Sequence, residues 1–430
     1  MPKNPAPAHS PTSLVATTSP APSRTRRAAW LLGPALVAGV AYLDPGNVAS
    51  NMTAGARFGY LLVWVVVLGN TMAWLIQYLS AKLGLVTGQS LAETLGTRLR
   101  NPWARRAYWL QAELVAMATD IAEVIGGAVA LWLLFGVPLP VGGLITGSVS
   151  IALLLIHQQR GARSFEFVVI GLLAIIAIGF TYGVFVAPPD AASVAAGLIP
   201  RFEGSESVLL AASILGATIM PHAIYAHSAL ARDRFAGPTS RAQDRAVATS
   251  RLLRATRWDV TIALAVAGTV NLAILLLAAA NLAGVPGTDS LEGAYSALST
   301  RLGGVVATMF AVGLLASGLA STAVGAYAGA EIMHGLLRIR VPLLGRRLVT
   351  LVPAIALLAL GVDPTWALIL SQVVLSFGIP FALIPLVALT ARRDVLGAHR
   401  NRWWTSAAGV VASVFLVALN ALLLWLVIAR

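Results

Sequence analysis

The sequence predicts an all-α polytopic membrane protein of eleven transmembrane helices, and three observations carry that reading. Of 430 residues, 58% are hydrophobic and only 11% charged. Apolar runs near the ~20 residues needed to cross a bilayer recur along the whole chain. With the N-terminus placed inside, 26 of the 30 Lys and Arg residues fall on the inner side of the predicted spans, a bias that a wrong span count would rarely produce. Finally, two spans carry proline-centred interruptions: Asp44-Pro45-Gly46-Asn47 in the first and Met220-Pro221-His222 in the sixth.

Residues 1–27 are rich in Pro, Ala, Ser and Thr and end in Arg24, Arg26 and Arg27. They lack the apolar core and cleavage site of a signal peptide and read as a disordered cytoplasmic tail. Residues 28–430 form one transmembrane domain. Its spans are predicted at 29–56, 60–83, 110–134, 139–157, 165–187, 208–230, 259–283, 303–333, 345–361, 364–388 and 404–428. The ninth has the weakest signal, because only about 348–361 are strongly apolar. The basic residues put the N-terminus in the cytoplasm and the C-terminus outside. Spans one to five (29–187) and six to ten (208–388) make two five-span sets, and the odd offset inverts one against the other. The last span, 404–428, is an extra helix. A broken helix opens each set, as an inverted-topology repeat requires. No residue-level identity links the halves.

Proline removes a backbone donor and clashes with the preceding turn, and Gly46 is expected to let the chain open further. Exposed backbone polar groups cannot face lipid, so such breaks line a cavity within the protein. Asp44 lies at mid-span with no basic residue near it in sequence. A carboxylate at that depth is functional by default, the alternative being a helix-capping Asp at a kink. Asn47 adds a second oxygen three residues on. Unwound backbone frees carbonyls, notably those of Ala217 and Ala41. With Met220 they make a set of hard oxygens and one soft sulfur that suits a divalent transition metal; packing is the alternative for Met220.

His222 and His227 are ~140° apart around a regular helix and are not expected to chelate one metal together. His222 is read either as a proton carrier or as a hydrogen-bonded structural histidine. Glu113, Asp120 and Glu123 lie within ~80° on one face of the third span. That face suggests a water-filled proton route. The alternatives are a capping role for Glu113 and an ion-pair network of Asp120 and Glu123 with Arg346 and Arg347. Gln372 and Asn271 are buried amides that read first as glue between helices, and the small residues from Gly318 to Gly335 suit close packing. Roles for His227 and Glu331 are left open.

The chain has no cysteine, which excludes disulfides, iron–sulfur clusters and thiolate zinc sites. Its only lysines are Lys3 and Lys82, and neither lies in a phosphate-binding loop, so no ATP motor is encoded. Metalloprotease and nucleophile-elbow signatures are lacking too, so no enzyme activity is expected. The net charge of +13 lies in loops and does not mark a nucleic-acid binder.

These residues resemble the Nramp family, the proton-coupled divalent metal transporters, over roughly 29–428. Intact Asp44-Pro45-Gly46-Asn47 and Met220-Pro221-His222 occupy the family's positions in helices one and six, and Gln111 to Glu123 is similar to its third helix. The resemblance implies a leucine-transporter fold of ten core helices plus one. It implies a metal site of Asp44, Asn47, Met220 and the Ala217 carbonyl, joined in some states by the Ala41 carbonyl and Gln372. It links Asp44, His222, Asp120, Glu123, Arg346 and Arg347 to proton movement. One stretch departs: Gly318-Leu319-Ala320-Ser321-Thr322 replaces the family's glycine-glutamine-serine-serine-threonine. The expectation is a monomeric, proton-coupled importer of Mn²⁺, Fe²⁺ and similar ions in a bacterial cytoplasmic membrane, with no cofactor and no ATPase subunit. Two rival readings are a Na⁺-coupled amino-acid transporter of the same fold and a metal-permeable channel.

Overall fold

The computed structural model describes residues 33–160, 162–236, 249–339 and 342–429; the predicted tail lies outside them. Among the described residues every predicted span falls on helix; positions 29–32 of the first span lie outside them. The first is α1 (Pro34–Val40), a 3-10 turn (Ala41–Leu43) and α2 (Pro45–Phe58). Then follow α3 (Val63–Thr87), a short α4 (Leu91–Arg98), α5 (Pro102–Phe135), α6 (Leu139–Arg160) and α7 (Ala162–Val186). The second set opens with α8 (Gly204–Thr218) and α9 (Pro221–Ala231), then α10 (Thr249–Asn281), a short α11 (Leu291–Leu302), α12 (Gly304–Leu337), α13 (Leu343–Ala359) and α14 (Pro364–Ala391). The extra helix is α15 (Trp403–Ile428). Eight of these segments, counting α8 and α9 as one, are long and apolar enough to cross a membrane. The ninth predicted span, α13, has 17 residues and an internal proline, Pro353, and at 1.5 Å per residue reaches only about 25 Å.

The breaks lie slightly before the prolines. Pro45 and Pro221 each occupy the first position of a new helix, where a missing N–H costs nothing. The non-helical residues are Asp44 (φ −68°, ψ 162°) and Met220 (φ −32°, ψ 116°). Gly46 is thus helical and does not open the chain as expected. It makes room instead: a Cβ there would collide with the Gln372 side chain.

The two sets share a feature that their sequences conceal. Each has a short helix after its second span, α4 and α11, and each is preceded by a serine and begins with leucine. Ser90 and Ser290 cap them by accepting from Glu93 N and Gly293 N at 3.2 and 3.0 Å. Half-helix α1 is capped from afar, since the Asp259 carboxylate on α10 accepts from Gly33 N and Ala35 N at 3.1 and 2.9 Å. Such a cap pairs an anion with a helix N-terminus.

Around the breaks, α2 packs on α10 and α8, α8 on α14, α9 on α3 and α12, and α12 on α5 and α7. The α8–α14 contact is so close that a Cβ on Gly216 would run into the Gln372 carbonyl. Gly216→Ala is therefore expected to cost about 1–3 kcal/mol through overpacking. Gly171, where an added methyl would meet nothing within 4 Å, is the control. Thermal unfolding in detergent should show Gly216→Ala well below the native protein and Gly171→Ala level with it.

Candidate metal site

Each proline decides which carbonyl loses its α-helical partner. A helical carbonyl accepts from the N–H four residues on. For Ala41 that residue is Pro45, and for Ala217 it is Pro221, and neither has an N–H. The second break therefore bares the Ala217 carbonyl, with Met220 three residues on; Ala41 loses its α-helical partner but lies in a 3-10 turn, whose bonds run from residue i to i+3, toward Asp44.

Asp44, Asn47, Ala217, Met220 and Gln372 are all fully buried. Asp44 Oδ1 accepts from the Asn47 backbone N–H at 2.8 Å, so the carboxylate also caps α2. Its Oδ2 accepts from Gln372 Nε2 of α14 at 3.0 Å, across 328 residues of sequence. Capping and site roles thus fall on the same residue. The amide of Asn47 donates to Tyr42 O at 2.5 Å and, more weakly, to Ala217 O at 3.5 Å. That bond joins the first break to the second. Among the described residues no cation pairs with Asp44. A buried carboxylate satisfied only by neutral donors is costly, and a bound metal cation would offset that cost.

Two participants escape the sequence reading, and a third is more specific than it. Asn51, one turn beyond Asn47, donates to Asn47 Oδ1 at 2.6 Å and so orients the amide. Ser317 of α12 donates to Leu43 O in the first break. Asn271 of α10 donates to Tyr42 O at 3.0 Å and holds the same broken segment, a form of the expected glue. Asn51 is the one open to detection, since a helical spacing of four places it against Asn47. Gln372 bonds Asp44 directly, which goes beyond helix-to-helix glue.

The acidic face of the third span, on α5, carries the ion-pair network. Glu113 pairs with Arg346 at 3.0 Å, Asp120 with Arg346 at 3.2 Å and with Arg347 at 2.8 Å. Glu123 is fully buried 4.0 Å from Arg347, and Ser150 of α6 accepts from Arg347 Nε at 2.9 Å. The small residues of α12 make this possible. A Cβ on Gly325 would meet the Glu123 carboxylate, and one on Gly329 the Arg346 guanidinium. The network adjoins both breaks. Gly126 of α5 packs on the Pro45 ring, and His222 Nδ1 bonds Thr119 Oγ1 at 3.1 Å, one residue from Asp120. His227 turns instead to Gln77 of α3 at 2.7 Å, so the two histidines are separate, as their spacing predicts. In the divergent stretch, Ser321 and Thr322 bond the carbonyls of their own helix.

The family profile for Nramp, natural resistance-associated macrophage protein-like, matches residues 35–426. The chain belongs to the Nramp family. It is 59% identical over 399 residues to the divalent metal cation transporter MntH of Mycobacterium tuberculosis, covering 93% of this chain and 92% of that one. To the MntH of Deinococcus radiodurans it is 46% identical over 408 residues, covering 94% and 91%. Among solved structures, this Nramp chain matches the Eremococcus coleocola manganese transporter with a TM-score of 0.81 at 33% identity, covering 94% and 88%. It also matches MhsT, solved with L-phenylalanine, with a TM-score of 0.60 at 13% identity, covering 92% and 98%, a likeness of fold alone. The chain is thus a multi-pass membrane protein with the leucine-transporter fold.

Proposed function

We propose that this Nramp protein imports Mn²⁺, and also Fe²⁺, Cd²⁺ and similar ions, together with protons across a bacterial cytoplasmic membrane. The carrying observation is the buried Asp44 carboxylate at the first break, bonded to Gln372 and joined through Asn47 to the Ala217 carbonyl of the second break, which also carries the buried Met220. Oxygens and one sulfur suit a borderline divalent ion. Asp44 and Met220 are closed to both faces, which supports a carrier that alternates access rather than an open channel. The soft sulfur favours a metal over a sodium–amino-acid pair. The basic loops support an N-terminus in the cytoplasm, and the negative interior would draw in each charge by ~2.3 kcal/mol per 100 mV. The chain acts as a monomer. The test is uptake into proteoliposomes with a metal panel and an internal pH probe. Saturable Mn²⁺ uptake with acidification is expected, and uptake of an amino acid with Na⁺ in place of metal would overturn the reading.

Protons are proposed to pass from the site through His222 and Thr119 to Asp120, Glu123 and the arginine pair. Asp120→Asn is expected to lower metal-driven acidification about tenfold, equivalent to ~1.4 kcal/mol, while calorimetry shows Cd²⁺ binding changed far less. Because Asp120 compensates two buried arginines, the folded yield should fall as well. Unaltered acidification would make the network purely structural.

A further inference from the structure

Away from the metal site, charged side chains from three elements converge below α9, on the side of the basic loops. The helix runs into a π-helical turn, Arg232–Ala236, a distortion that often marks functional segments. Arg232 opens that turn and is only 10% exposed at its side chain. One Nη lies 2.6 Å from Glu93 of α4, the other 3.1 Å from Glu331 of α12, and its Nε donates to Asp233 at 2.8 Å. Asp233 in turn accepts from the Tyr327 hydroxyl of α12 at 2.9 Å. Glu93 also closes the capping box of α4 by accepting from Ser90 N at 2.7 Å. Burial opposes ionisation of Glu93, but the Ser90 N–H and the Arg232 guanidinium outweigh it and hold the carboxyl below its ordinary value.

Short helix α4 is itself seated between the two partners. Leu91 N donates to Ser228 Oγ of α9 at 2.9 Å. On its other side, a Cβ on Gly335 of α12 would meet Ala92 at 2.5 Å. Arg232 therefore ties the far end of α9, whose near end carries Met220, to both α4 and α12. Any movement of α9 away from α4 and α12 would break these contacts. A guanidinium fork held by carboxylates on separate elements is an exchangeable clamp: it can give up one carboxylate while keeping another.

We propose that Arg232, with Glu93 and Glu331, is a latch that closes the inward path and must release for metal to leave. The proposal rests on the alternating-access reading above. Removing the latch should raise the inward-open population at the expense of the outward-open one.

The native chain has no cysteine, so single reporters can be read without background. Ala226→Cys reports from α9, six residues beyond Met220. Thr53→Cys reports from the opposite side, in a cavity of about 370 Å³ lined also by Arg57, Glu206 and Asp289. The probe is a membrane-impermeant thiol reagent applied to each side of vesicles, without metal. In Arg232→Ala, labelling at residue 226 is expected to rise about tenfold and labelling at residue 53 to fall, a shift within the usual range of conformational coupling. Glu331→Gln, which keeps the shape and removes one charge, should move both rates the same way by less. Unchanged rates in both variants would overturn the latch. So would a rise at both reporters, which is what loosening of a merely structural ion pair produces. Because labelling needs no substrate, failure of the transport reading shows separately, as native protein that takes up no Mn²⁺.

Discussion

Asp44→Asn is expected to lower Mn²⁺ uptake at least ~100-fold while the protein still folds and inserts. Asparagine has the shape of aspartate, and its carbonyl oxygen can still accept from Asn47 N, the bond that caps α2 at 2.8 Å. Pro45 still starts the helix. The break therefore survives. What disappears is the only ionised group among the candidate ligands. A divalent cation that leaves water for a fully buried site of neutral groups loses hydration that dipoles alone replace poorly. A hundredfold loss needs only ~2.7 kcal/mol, well below the Coulombic contribution of one buried carboxylate to a doubly charged ion. The measurement is Mn²⁺ uptake in vesicles beside thermal unfolding of the same preparation. Uptake within a few-fold of native protein would remove Asp44 from the site.

Met220→Ala is expected to change selectivity more than activity. Met220 is fully buried at the second break, but Pro221 makes that break, so the backbone should persist without the side chain. Thioether sulfur bonds acceptably to Mn²⁺, Fe²⁺ and Cd²⁺ and poorly to Ca²⁺ and Mg²⁺. An all-oxygen cage would accept Ca²⁺, whereas Mg²⁺ is held back by its reluctance to lose water. The sulfur takes a position that an oxygen would otherwise give to Ca²⁺, and so works by exclusion. Discrimination of ~100-fold again corresponds to ~2.7 kcal/mol, within reach of one ligand swap. In Met220→Ala, water can fill the vacated position, so Mn²⁺ uptake should remain measurable while Cd²⁺ uptake falls and Ca²⁺ becomes a substrate or strong competitor. A side chain that only packs would lower all metals alike. Uptake of Mn²⁺ and Cd²⁺ against a Ca²⁺ series separates the two, and an unaltered Ca²⁺ response would exclude Met220 as a ligand.

The sequence by itself determined the helical segments and the two breaks, and pointed to their inverted pairing, because those signals are local. Apolar length reports partition into lipid, basic loops report orientation, and a proline acts within four residues. The same reach identifies Ala217 as the carbonyl bared by the second break and Asp44 as the charge at the first. The spacing of Glu113, Asp120 and Glu123 likewise marks one helix face, and the structure has all three along one line of arginines. The tertiary structure alone decided what faces that local set. Gln372 meets Asp44 across 328 residues, Arg346 meets Glu113 across 233, and Asp259 caps α1 across 226. Nothing near any of these residues in sequence announces its partner, since such pairs form only after helices pack. Gly46 shows the limit most plainly. Beside a proline it predicts an opened chain, yet it is helical, and its missing side chain is the space that Gln372 occupies on the way to Asp44. Local chemistry could place the break, but only packing against α14 could say why that position has no side chain.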